Sequence, residues 1–396
     1  MSVNEALRDL PSVRSFEPAQ LAARVDAVLK QTLDDHRLVG AVVLVAQGGE
    51  LIYQRAAGLA DREANVPMRE DALFRLSSVS KPITSVAALA LVGQGKIGLD
   101  DDISRWLPYF KPTLGDGQPA LITLRQLLSH TAGLGYGFLE SEQGGPYLAA
   151  GVSDGLDHCE HSLDENLRRL SRVPLLYQPG SDWGYSIATD VLGGVIAAVT
   201  GTTLEAAIDE LIVKPLGLRE LSFGTRDAER LVPAYLNDQP EPRRMGELEV
   251  TPVFAGTAGI RLAPARALDS HAYPSGGSGL VGTAGEFLQF LEALRQGGAP
   301  LLPKEQVEEM GKNQTGSLEL ANWPGRGFGL GFTVLKDPAA AQTAEAVGTW
   351  RLGGAYGHSW FVDRVAQLSV VAFTNTAFEG MAGQFTVDLC NAVYGA

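Results

Sequence analysis

Ten consecutive residues, Ile83 to Val92, carry no charge, and only Thr84 and Ser85 among them are polar. A helix that is apolar nearly all round has no face to offer water, so it must run through the middle of the molecule. Pro82 suits its first turn, where no backbone N–H is needed. Just ahead stands Ser78-Val79-Ser80-Lys81. A serine and a lysine three residues apart at a helix start share one face, one turn apart. Serine is a poor nucleophile until a neighbouring base takes its proton, and a partly buried lysine can supply that base. The helix N-terminus adds unpaired N–H groups where an oxyanion would form. The tetrad therefore points to acyl transfer through an acyl-serine. Alone it also fits an N-cap serine beside a surface lysine; the buried helix behind it, and Phe74 and Leu76 ahead of it, favour the chemical reading.

With 396 residues and 45% apolar content, the chain has material for two subdomains around a substantial core. A net charge of −14 argues against a nucleic-acid partner, which needs a basic face. No apolar run approaches the ~18 residues of a membrane span. The opening Met1-Ser2-Val3-Asn4-Glu5 has no apolar core of a leader peptide. Cys159 and Cys390 are then expected as free thiols in a reducing cytoplasm, Cys390 inside a C-terminal helix.

The periodicity predicts an amphipathic helix over Glu17 to Asp35, with Leu21, Val25, Val28 and Leu29 on one face. Gly40 to Gln47 and Glu50 to Ala57 read as a hairpin turning at Gly48-Gly49. Ile122 to His130 reads as a short capped helix. Strand patterns return at Gly329 to Leu335, Ala355 to Asp363 and Leu368 to Thr374, and a helix covers Phe385 to Tyr394. The expected architecture is α/β. Both chain ends (1–82 and 266–396) form one antiparallel sheet flanked by helices. A mostly helical domain, 83–265, is inserted between them, with the site at the interface.

Several other segments carry candidate chemistry. Tyr185, after the Gly/Pro-rich Pro179 to Gly184, is either a half-buried tyrosine bonded to backbone or a base whose phenolate a nearby Lys81 cation would favour. Leu352-Gly353-Gly354-Ala355 reads as glycines opening a strand. It either lets a substrate approach the backbone, with the Ala355 N–H as second oxyanion donor beside that of Ser78, or is a strand start without a ligand. His358, just beyond, either lines the cleft or satisfies a core hydrogen bond. His130 is expected to bond locally at its turn. Gly151-Val152-Ser153-Asp154-Gly155 matches the GxSxG nucleophile elbow, but neither the strand before it nor the helix after it that this motif requires is present, so Ser153 is a decoy. His158, Cys159, Glu160 and His161 lack a second ligand cluster, so no metal is expected. Tyr273 to Gly279 either touches substrate or only turns the chain, and the apolar helix beside it (Phe287, Phe290, Leu291, Leu294) favours packing.

Together, Ser78-x-x-Lys81, Tyr185 and Leu352-Gly353-Gly354, in this order, resemble the serine β-lactamase and penicillin-binding-protein superfamily. The stretches Leu127 to Leu134, Tyr185 to Gly193 and Tyr356 to Trp360 extend the likeness over nearly the whole chain. It is nearest to the family VIII carboxylesterases, which look like class C β-lactamases and also carry a non-catalytic GxSxG. The resemblance implies that Ser78 is the nucleophile, Lys81 its activating partner, Tyr185 the general base and acid, and the N–H groups of Ser78 and Ala355 the oxyanion hole. It also implies that Tyr136 lines the cleft. It implies no cofactor or metal.

Two positions depart from the pattern. Leu352 stands where β-lactamases have lysine and the esterases usually have tryptophan, and Ile187 stands where class C enzymes have asparagine. An anionic amide substrate would lose a charge-assisted hydrogen bond at the lysine position, worth ~1.5–3 kcal/mol, whereas a neutral ester loses nothing. With Ile187, Leu352, Gly353, Gly354, His358 and Tyr136 about the substrate, the expectation is a carboxylesterase for short- to medium-chain acyl esters, with acyl transfer or cephalosporin deacetylation as side activity. The alternatives are a β-lactamase or D-amino-peptidase using the same residues on amides, and a non-catalytic sensor that kept the fold. A small-molecule ester is the expected partner, with no nucleic acid or membrane; the sequence leaves the oligomeric state open.

Overall fold

A computed structural model describes residues 16–396; the opening Met1 to Glu5 lies outside the described residues. The main sheet has eight strands: β1 Gly40–Gln47, β2 Glu50–Asp61, β3 Val66–Pro67, β4 Arg326–Phe328, β5 Thr333–Leu335, β6 Trp350–Gly354, β7 His358–Asp363 and β8 Leu368–Thr374. They lie in the order β4-β5-β6-β7-β8-β1-β2-β3, and neighbouring strands run antiparallel. The two ends of the chain meet at the β8–β1 seam, where Ala41 to Gln47 pair with Thr374 to Leu368.

The five longest helices are α1 Pro18–Asp34, α2 Ser80–Gly93, α3 Ala188–Thr200, α4 Ala284–Arg295 and α5 Gln384–Tyr394. Strand β1 is buried from Gly40 to Ala46 because both its faces are covered. Ala41, Val43 and Val45 pack with Leu21, Val25 and Leu29 of α1 and Phe385, Leu389 and Val393 of α5. Val42, Leu44 and Ala46 belong to the larger core on the other face, which includes Phe287 and Leu291 of α4. This is the helix-on-sheet layering that a two-sided sheet requires. The β1–β2 hairpin turns at Gly48 and Gly49, with φ of +62° and +97°, values that favour glycine.

Helix α2 meets the expectation from its composition: every residue from Ser80 to Leu91 is buried. It packs against α3 and the short segments around it. Each fully buried Ile, Val or Leu contributes on the order of 1.5–3 kcal/mol of burial, so this helix anchors the larger core. A single helix long and apolar enough to cross a membrane is absent among the described residues. Cys390 is buried in α5, and neither it nor Cys159 is in a disulfide.

Three predicted elements shift. The strand expected from Gly329 begins at Thr333, because Gly329 to Phe332 form a turn closed by Gly329 N–H on Phe332 O at 2.8 Å. The strand expected from Ala355 begins at His358. Ala355 to Gly357 are instead the β6–β7 turn, with Gly357 at φ +111°. The predicted strand start at Leu352-Gly353-Gly354 is thus a strand end. The helix expected over Ile122 to His130 shortens to Leu124–Leu128, held by a reciprocal capping box between Thr123 and Gln126.

Candidate active site

Ser78 lies in a single 3₁₀ turn, Ser77–Val79, that leads directly into α2. Ser77 before it has φ +44°, a left-handed value that a residue with a side chain adopts only when its surroundings impose it. The β6–β7 turn imposes it here. Tyr356 N–H donates to Ser77 Oγ at 3.4 Å. A Cβ on Gly354 would stand 2.6 Å from both Leu76 O and Ser77 Oγ, so only glycine lets β6 come this close. The Ser78 turn is therefore held from outside, by residues nearly 280 positions away in sequence.

One helical turn on, Lys81 is fully buried. Its Nζ donates to Ser78 Oγ at 3.1 Å and to Gly277 O at 3.0 Å. It also lies over two aromatic rings, Tyr185 at 4.8 Å and Tyr136 at 5.5 Å from the ring centres, where a desolvated cation is attracted by the ring faces. Ser78, Lys81, Tyr185 and Tyr136 are thus brought together. Burial, with Tyr185 and nearby carboxylates adding, pushes Tyr136 well above the ordinary phenol value, so it remains a phenol. Trp323 stands edge-on to Tyr185, with ring centres 5.6 Å apart, and Trp183 packs against Trp323 at 5.3 Å. The Tyr185 ring therefore borders an aromatic wall that the sequence did not flag.

The expectation that His130 bonds locally is corrected. Its Nδ1 pairs with Ser186 Oγ at 3.0 Å and accepts from Ser186 N–H at 3.2 Å. Its carbonyl accepts from Gly184 N–H at 3.0 Å. Both neighbours of Tyr185 are thus tied to one histidine, whose ring lies against the Tyr185 ring at 5.0 Å. Nδ1 accepts a backbone N–H, so the ring is neutral with its proton on Nε2. Burial holds its pKa well below the ordinary value, and the Lys81 charge adds to this.

The remaining predicted residues divide. Among the described residues, the N–H groups of Ser78 and Ala355 donate to no main-chain acceptor, and Ala355 follows the Gly354 that touches the Ser77 turn. Gly353 and Gly354 are spacers: a Cβ on Gly353 would meet Met381, and one on Gly354 the Ser77 turn. Leu352 and Ile187 are packed into the core, 5% and 1% exposed, with Ile187 N–H on Gly135 O. His358 as a cleft residue is corrected. It is buried between Phe74 and Phe373, its Nε2 bonds Arg75 O at 2.8 Å, and burial brings its pKa down to about 4. It serves the core.

Sequence reasoning missed Asp190. It is buried, and Gly277 N–H (2.7 Å) and Ser275 Oγ (2.8 Å) donate to one of its oxygens while Tyr273 OH lies 3.3 Å from the other, the pattern of a carboxylate. Burial raises its pKa, and hydrogen bonds and the Lys81 charge oppose this. Gly277 thus gives its N–H to Asp190 and its carbonyl to Lys81. A lone carboxylate in the otherwise uncharged run Ala188 to Thr200 was the signal available. The Tyr273 to Gly279 segment, for which the sequence favoured packing, bonds both Lys81 and Asp190 through Gly277.

The GxSxG segment forms the layer below. Ser153 Oγ donates to Asp157 and accepts from Gly155 N–H at 3.1 Å and Tyr273 OH at 3.3 Å. A Cβ on Gly155 would run into Ser275 Oγ. Asp154 accepts the N–H groups of Gly137 and Phe138, both at 3.0 Å, and so fixes the loop that carries Tyr136. Burial is the main cause that pushes Asp154 up to about 7. His158 faces Asp269 at 3.6 Å and His161 bonds Asn166, so the two point to different partners.

The family described as Beta-lactamase matches residues 25–389. Esterase EstB of Burkholderia gladioli is 50% identical over 385 residues, covering 97% of this chain and 98% of that protein. Lovastatin esterase of Penicillium rubens is 27% identical, covering 86% of this chain and 89% of that protein. Among solved structures, EstCE1, described as a hydrolase with promiscuous acyltransferase activity, superposes with a TM-score of 0.92 at 46% identity over 96% of this chain and 99% of its own.

Proposed function

We propose that this chain, which belongs to the beta-lactamase family, is a carboxylesterase that hydrolyses short- to medium-chain acyl esters through an acyl-Ser78 intermediate. The observation that carries this reading is the buried Lys81 Nζ at 3.1 Å from Ser78 Oγ, with the Tyr185 ring beside it. Ser78 Oγ attacks the ester carbonyl carbon while its proton passes to the Lys81–Tyr185 pair. The carbonyl oxygen becomes an oxyanion facing the N–H groups of Ser78 and Ala355. The C–O bond to the alcohol breaks as the alcohol takes the proton. Water then attacks the acyl-serine by the same route, releasing the acid and restoring the serine hydroxyl. A second alcohol in place of water gives acyl transfer.

The names of EstB and EstCE1 support an ester as substrate and acyl transfer as a companion reaction. The aromatic wall of Trp183 and Trp323 suits a neutral acyl or alcohol group. Incubation with a cephalosporin bearing a 3-acetoxymethyl ester tests the reading: acetate release with the lactam ring intact is expected. Loss of ring absorbance would put amide hydrolysis by the same residues first.

A further inference from the structure

Beside the candidate site lies a second, small cavity of about 30 Å³, space for about two water-sized groups. Its walls include Arg75, Arg266, Tyr273, Tyr356, Ser278 and Asp269. Three of these adjoin the site in sequence. Arg75 precedes Ser78 by three residues, Tyr356 follows Ala355, and Ser278 follows the Gly277 that holds Lys81. Ser78, Lys81 and Tyr185 do not line it, so it is a separate pocket.

Two guanidinium groups meet at this cavity, and their hydrogen-bond partners are neutral carbonyls. Arg75 donates to Pro264 O at 2.7 Å and Val232 O at 2.6 Å. Arg266 donates to the main-chain oxygens of Asp157 at 3.1 Å and Tyr273 at 2.7 Å. Each guanidinium has five N–H donors, so three on each remain. Neither arginine is in an ion pair among the described residues. Asp269, the carboxylate in the wall, faces His158 and His271 at 3.6 and 3.5 Å. The Tyr356 hydroxyl and Ser278 Oγ, both in the cavity wall, add two further donors. Burial presses the Arg75 guanidinium below its ordinary value, and the buried Asp190 carboxylate is within electrostatic reach of Arg266. Burial pushes Tyr356 up to about 12, although both arginines pull the other way, so its hydroxyl keeps its proton and can donate.

We infer that this cavity is a binding site for a carboxylate-sized anion, gripped by Arg75 and Arg266 with Tyr356 and Ser278 as further donors. The forked geometry of a guanidinium matches the two oxygens of a carboxylate, and the cavity volume limits the guest to a small head group. That head group comes either from a free acid, such as the product of ester cleavage, or from a substrate that carries a second carboxylate.

The test uses sodium formate as probe and the full chain, at constant ionic strength set by the sodium salt of a bulky sulfonate buffer. A saturable rise in Tm with formate is expected. In Arg266→Gln the half-saturating formate concentration rises about tenfold or more. Tyr356→Phe keeps the ring and removes one donor, and it shifts the curve in the same direction by less; it carries the test if Arg266→Gln does not fold. No saturable rise in the unmodified chain, or the same curve in both variants, overturns the site. Formate inhibiting cleavage of the mono-4-nitrophenyl ester of glutaric acid, but not of 4-nitrophenyl butyrate, identifies the substrate's own carboxylate as the guest. Formate binding without such competition identifies a free acid.

Discussion

Two serines in this chain stand in sequence motifs associated with nucleophiles, and their surroundings differ in what can accept their proton. Ser78 has a buried amine at 3.1 Å and a turn held open toward the Lys81–Tyr185 pair. Ser153 is 2% exposed; its Oγ already donates to Asp157 and accepts two further hydrogen bonds. A hydroxyl with every site filled by the protein has none left for a substrate. Ser153 is a joint in the scaffold under the Tyr136 loop and Asp190, whereas Ser78 is the group that scaffold serves. Motif spacing alone does not separate the two roles; hydrogen-bond saturation does.

Paired substitution breaks this comparison most directly. Ser78→Ala is expected to lower kcat/KM on a 4-nitrophenyl ester by about 10⁴-fold or more, and Ser153→Ala to leave it within about twofold. Substantial turnover by the Ser78 variant would end the acyl-serine reading. A smaller effect is expected at Asp190→Asn, which removes the buried negative charge that acts on Lys81 through Gly277. A fall of about 10- to 100-fold in kcat, with a displaced pH profile, is expected from the lost electrostatic term. A drop in stability with the profile unmoved would make Asp190 structural only.

Asp154 sharpens the comparison through pH. Its folded pKa, about 7, lies above the ordinary carboxylate value of 3.8. Between those two values the unfolded chain binds fewer protons, so this group's contribution to stability falls as pH rises from about 4 to about 7. Asp154→Asn should flatten that part of the stability curve, by up to a few kcal/mol at pH 7; unfolding midpoints in urea across the window would read it. Curves that stay parallel would show that Asp154 is not the group responsible. The smallest effect is expected for Ser153→Ala on stability, a loss of about 1–2 kcal/mol from its broken hydrogen bonds. A neutral result would mean that water replaces them.

What was legible in the sequence was local. Ser78 and Lys81 lie one helical turn apart, so their pairing follows from helix geometry, and the apolar run of α2 announces its own burial. The β1–β2 hairpin is marked by its two glycines. What escaped depends on distant partners. His130 meets Ser186 across 56 residues and Asp190 meets Gly277 across 87, and nothing in the local pattern of either histidine or carboxylate names its partner. Strand β6 was misplaced because Gly353 and Gly354 look like a strand opening. Their missing side chains instead let β6 end against the Ser77 turn. His358 was drawn toward the cleft by its neighbours in sequence, while the pleat points it between Phe74 and Phe373.

The φ of +44° at Ser77 carries a consequence for the order of synthesis. The residues that hold this turn, Gly354 and Tyr356, leave the ribosome some 280 residues after the serine they serve. A nascent chain that already has α2 complete lacks the clasp that shapes the Ser78 turn. Ester cleavage therefore cannot begin until the far end of the sequence has been made and folded back.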